Sequence, residues 1–133
     1  EGASPGRTRA AVAAAVGEVR GWDRPGQRTG LVTFGSGFGL ARDVVADADF
    51  LLAMTPRISE DLLAEPPALA EVPTLVSVAS EDSRGTPAEQ VREFFAACAP
   101  GHEFRAYLSE HLIGVPDVWR RRVSDDAAWL GRW

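Results

Sequence analysis

A serine, an aspartate and a histidine stand at three separate turns of this chain, in an order that suits acyl-transfer chemistry. Ser36 lies between Gly35 and Gly37, Asp82 closes Ser80-Glu81-Asp82, and His111 closes Ser109-Glu110-His111. A hydroxyl becomes a nucleophile when an imidazole takes its proton. A carboxylate behind the imidazole then orients it and steadies the cation that forms. The order Ser, Asp, His supplies one residue for each role. What remains is whether the elements bring them to one place.

Each triplet follows a segment that reads as a strand. Gly30 to Phe34 is mostly apolar, as strands covered on both faces are. Ala48 to Met54, Thr74 to Ala79 and His102 to Leu108 are the other three candidates, and Pro56 and Pro73 bound them where a central strand cannot continue. Between them lie helix-forming stretches. Arg9 to Trp22 carries Val12, Ala15, Val16 and Val19 as an apolar stripe, and Leu40 to Ala46 follows the glycine turn. Ser59 to Leu63 is a short helix capped by Ser59, and Pro87 to Ala97 is a helix with Thr86 as its cap. Val91, Phe94, Phe95 and Cys98 line one face of that helix. Pro116 opens a last helix to Trp133 with Trp119, Val123, Ala127 and Leu130. Strand and helix alternate, and parallel strands need such crossovers. The pattern predicts a three-layer α/β/α domain with a mainly parallel sheet of about four strands. Residues 1–8 read as a flexible leader and residues 9–133 as one domain. In such sheets functional groups collect at the carboxyl ends of the strands, where all three triplets fall.

The bulk chemistry narrows the function classes. The 133 residues carry a net charge of −5, and every basic side chain other than histidine is arginine. An acidic chain without a basic stripe excludes nucleic acid as the expected partner. Cys98 is alone, which excludes a disulfide framework and a multi-cysteine metal site, and no cofactor motif is complete. Gly35-Ser36-Gly37-Phe38-Gly39 fails the dinucleotide fingerprint, because Leu40 stands where its last glycine belongs. No apolar run reaches membrane-spanning length, so a soluble, cytoplasmic domain is expected.

Longer motifs sharpen this. Arg28-x-Gly30-x-Val32-x-Phe34-x-x-Gly37-x-x-Leu40-Ala41 resembles the nucleophile strand and elbow of the dienelactone hydrolases, a family of the α/β-hydrolase superfamily. Pro73 to Asp82 resembles the strand and loop that deliver that family's acid, Tyr107-Leu108-Ser109-Glu110-His111 its histidine segment, and Trp119 to Trp133 its terminal helix. The resemblance covers the carboxyl-terminal half of the family's fold. It implies hydrolysis of a carboxylic ester or lactone, with Asp82 and His111 as acid and base and Gly35 and Gly37 in the oxyanion region. The sequence departs from the family at Gly35, which falls where the Cys or Ser nucleophile belongs. Aligning Ser36 instead puts Phe34 and Phe38 at the tight glycine positions of the elbow. The chain also lacks the family's amino-terminal strands, with the loop that supplies half the oxyanion hole.

The preferred expectation is a domain of this lineage without the standard nucleophile. It would bind a small molecule or do non-hydrolytic acid/base work with His111. The alternative is an active serine hydrolase using Ser36, Asp82 and His111, and the third is an interaction subunit. Strand Gly30 to Phe34 would then be an apolar edge, covered by a second copy or by a separate amino-terminal half. Elsewhere the expectations are structural. Glu81, Glu110 and the Arg120-Arg121-Arg122 run are solvated, His102 starts a strand at the surface, Cys98 is buried, and the four tryptophans anchor packing.

Overall fold

The computed structural model describes residues 5–22 and 25–132. Four strands, β1 (Gly30–Phe34), β2 (Phe50–Met54), β3 (Thr74–Ala79) and β4 (Glu103–Tyr107), form one parallel sheet in the order β1-β2-β3-β4. Gly30 pairs with Phe50, Leu51 with Thr74, and Leu75 with Glu103. Helices α1 (Pro5–Arg20), α2 (Gly37–Leu40), α3 (Glu60–Ala64), α4 (Ala88–Cys98) and α5 (Pro116–Leu130) alternate with them. The predicted three-layer α/β architecture is the one observed.

Side chains alternate across the sheet, so each strand feeds two cores. Leu51, Ala53, Val76 and Val78 point to one face. There they meet Phe38 of α2, Leu62 of α3, and Val91, Phe94 and Phe95 of α4. Leu52 and Leu75 point to the other, under Trp129 of α5. Every residue of β3 is buried, as a central strand requires. β1 differs. Val32 is in register with buried Leu52, yet Val32 and Phe34 are exposed, because α5 lies over β2 and β3 and does not reach the first strand. Gly30 opens β1, and a Cβ there would run into the Phe50 ring, which lies across it in register. No described helix is long and apolar enough to cross a membrane.

Several boundaries differ from those predicted. Helix α1 starts at Pro5, so Pro5 to Thr8 are helical; Glu1 to Ser4 lie outside the described residues. Its Val12 packs against the core, but Val19 is exposed. The predicted helix from Leu40 to Ala46 is replaced by the single turn of α2, which begins directly after Ser36, and by a 3₁₀ turn at Val45–Asp47. Gly37 and Gly39 each weaken a helix by about 1 kcal/mol, and α2 has no side-chain cap. Thr86 does not cap α4: its hydroxyl accepts from the Ile58 N–H at 2.9 Å, and Pro87 takes the cap position. Ser59 does cap α3, accepting from Leu62 N–H at 3.3 Å.

Helix α5 carries the largest correction. Its buried face is Val118, Arg122, Asp126 and Trp129, one residue before the predicted stripe; Trp119 and Val123 are exposed. Arg122 is therefore a buried residue, not part of a solvated run. It donates to Asp126 Oδ2 at 2.5 Å, contacts Met54 Sδ, and stacks on the Trp119 ring at 4.1 Å. Of the described tryptophans only Trp129 is a core anchor, and Trp22 is exposed; Trp133 lies outside the described residues. His102, expected to start a strand at the surface, stands just before β4 and is half-buried, its Nδ1 within 2.8 Å of the Ala99 carbonyl and its ring between Phe95 and Phe104.

Candidate functional site at the carboxyl ends of the strands

The four strands end side by side, and the chain after each contributes to one rim. After β1, Gly35 turns with φ +52°. Its N–H donates to the Met54 carbonyl and its carbonyl accepts from Arg57 N–H, both at 3.0 Å. A Cβ at Gly35 would meet nothing within 4 Å, so the turn selects glycine for its backbone rather than for space. Ser36 follows, exposed, with its hydroxyl making no cap bond to α2.

The loops after β3 and β4 are tied together. Ser80 N–H donates to the Tyr107 carbonyl at 2.8 Å and Glu81 N–H to the Ser109 carbonyl at 3.0 Å. Ser109 is buried; its hydroxyl donates to the His111 carbonyl at 2.7 Å and accepts from the His111 N–H at 3.3 Å. This fixes the backbone of His111 and leaves its ring exposed. Asp82 Oδ1 accepts from Arg84 N–H at 2.9 Å and Gly85 N–H at 3.3 Å, a side-chain turn that holds its own loop.

Asp82 and His111 then line the same two recesses, of about 120 and 140 Å³. Glu81 and Glu110 border the first and are exposed, as predicted. Thr55, Leu112 and Ile113 complete the second. No hydrogen bond joins Asp82 to His111 among the described residues. Ser36 lines neither recess; it belongs to a separate cleft with Arg9, Arg42 and Arg57. The structure thus brings together the aspartate and the histidine of the predicted set and leaves the serine apart.

Thr55 is the residue the sequence does not announce. It is the first residue past β2, and its φ of +42° makes it the one non-glycine in the left-handed region among the described residues. For a β-branched side chain this is a genuine outlier, of the kind that gathers at functional sites. Thr55-Pro56 reads in sequence only as a strand terminator. Thr55→Gly removes about 1–2 kcal/mol of left-handed strain and adds roughly 0.5–1 kcal/mol of chain entropy. The expected result is a thermal midpoint raised by a degree or two, with Thr55→Ala showing no gain. A clear fall with Thr55→Gly would mean that the threonine side chain itself stabilises the turn.

The remaining chemistry is quiet. Burial pushes the Cys98 thiol up to about 11, so little thiolate exists at neutral pH; Cys98, expected to be buried, is partly buried against the core. No group of three or more metal-ligating side chains occurs among the described residues. No protein-family model, no curated protein and no solved structure matches this chain. The resemblance to dienelactone hydrolases rests on its motifs alone.

Proposed function

We propose that this domain is of α/β-hydrolase lineage, dienelactone-hydrolase-like, without the standard nucleophile. In this reading it binds a small ester- or lactone-like molecule at the rim, with His111 as its acid/base group. One observation carries the reading. Asp82 and His111 line common recesses, while the turn where the lineage keeps its nucleophile presents Gly35, with no side chain. Thr55 and Leu112 supply the hydroxyl and the apolar wall that such a ligand would touch.

The test combines covalent labelling with binding. Intact mass after fluorophosphonate treatment should show no adduct. Titration with δ-valerolactone should shift the backbone amides of Thr55, Asp82, His111 and Leu112, and His111→Ala should weaken that response about tenfold, the loss of one hydrogen bond to a polar ligand. A stoichiometric adduct that disappears in Ser36→Ala would replace this reading with the serine hydrolase.

A second reading, an interaction subunit, is favoured by β1, whose outer edge has no strand partner among the described residues and whose Val32 and Phe34 are exposed. The cover would be a second copy or a separate amino-terminal half. Sedimentation at micromolar concentration should give a dimer or retain a bound partner; a bare monomer counts against it.

A further inference from the structure

The cleft that holds Ser36 has its own chemistry, separate from the Asp82–His111 recesses. It measures about 320 Å³, at the lower end of small-molecule sites, and its walls are mainly carbon, with Leu40 and Leu62 on the lining. Three arginines reach it. Arg9 is occupied, held in a fork by Asp43 at 2.6 and 2.9 Å. That guanidinium, with a smaller contribution from Arg42, holds the Asp43 carboxyl below its ordinary value. Among the described residues the guanidinium groups of Arg42 and Arg57 make no hydrogen bond or ion pair. Arg57 is fixed at its backbone instead, by the Gly35 carbonyl. Among the described residues Asp61 is the one acidic residue on the lining, so positive charge exceeds negative here in a chain of net charge −5.

We propose that this cleft binds an organic oxyanion, a small molecule with a carboxylate or phosphate at one end and an apolar body. Arg42 and Arg57 would take the charged end with forked donors, the geometry guanidinium groups offer to planar and tetrahedral oxyanions. Ser36 Oγ supplies a neutral donor beside them. The apolar body lies along Leu40 and Leu62. Ser36 is then a ligand-binding residue, and the site is independent of any role of His111.

The experiment is a calorimetric and amide-shift titration at constant ionic strength, with sodium octanoate, octyl phosphate, 1-octanol and inorganic phosphate as probes. Octanoate or octyl phosphate should shift Ser36, Gly39, Leu40 and Leu62 and bind at least about tenfold more tightly than octanol. Whichever of the two binds better identifies the charged group. Arg42→Gln and Arg57→Gln should each weaken binding about tenfold, with thermal midpoints near that of the wild type. His111→Ala should bind as the wild type does, which separates this site from the function proposed above. Equal binding of octanol, or unchanged binding in Arg57→Gln, would overturn the proposal. Inorganic phosphate binding as tightly as octyl phosphate would remove the apolar half of it.

Discussion

Arg122→Ala should destabilise the domain by about 3–5 kcal/mol, the usual consequence of removing one partner from a buried ion pair. At pH 8 that lowers the thermal midpoint by about 10 °C or more. Arg122 and Asp126 are both buried, one turn apart on the inner face of α5, and each keeps one atom (Nε and Oδ1) without a hydrogen-bond partner. Truncation leaves the Asp126 carboxylate without its nearest cation. Burial already raises the Asp126 carboxyl above its ordinary value, with Arg122 and then Arg105 pulling it back and Asp125 raising it further. A carboxyl raised on folding favours the folded state below its unfolded value, near 3.9, and that contribution is lost as pH rises through the folded value. Arg122→Ala raises the folded value further. Lowering the pH toward the unfolded carboxyl value should therefore restore part of the lost stability, read by urea unfolding. Adding Asp126→Asn should flatten that dependence. Replacing both residues by Leu should be close to neutral; a double variant as unstable as Arg122→Ala would show that the buried charge is not the cause.

Phe38→Ala comes next, at about 3–5 kcal/mol, the range for emptying a buried aromatic site. Phe38 is fully buried and meets Phe94 edge-on at 6.0 Å and Phe95 at 5.2 Å. It belongs to a one-turn helix with no side-chain cap and two glycines, so the ring is what holds α2 against the sheet. Loss of the ring should loosen Gly35 to Ala41 more than the rest. Hydrogen exchange of those amides should rise beyond the global change. Phe38→Leu should cost under about 1.5 kcal/mol, since volume is nearly kept. A loss below about 1 kcal/mol in Phe38→Ala would mean the aromatic cluster does not anchor the turn.

The architecture was legible because alternation of strand and helix admits few arrangements. Gly30 to Phe34 and Thr74 to Ala79 appear within the boundaries read from apolar runs and flanking breakers. The meeting of Asp82 and His111 was legible for the same reason, since adjacent parallel strands put their following loops side by side. The inner face of α5 was not. Hydrophobic periodicity selects Trp119, Val123, Ala127 and Leu130, and the true face has the same spacing one residue earlier. Arg122 and Asp126 enter it only because they neutralise each other, which apolarity alone does not register. In sequence Phe38 reads as an obstacle to a tight elbow; with the helix starting at Gly37 it points into the core instead. Thr55 is not legible in the sequence, because a left-handed threonine has no compositional signal.

The strand order has a consequence for assembly of the chain. Each strand pairs with its immediate successor, and every pairing joins residues roughly 20–30 apart, from Gly30 to Phe50, Leu51 to Thr74 and Leu75 to Glu103. Doubling such a loop adds only about 0.6 kcal/mol of closure entropy, so no single pairing is a topological bottleneck. The sheet can grow one rung at a time, and a synthesised length of chain ending after any strand already has a template for the next. Such an order is also extensible, since a further strand–helix rung can join at either side without rethreading those already laid down.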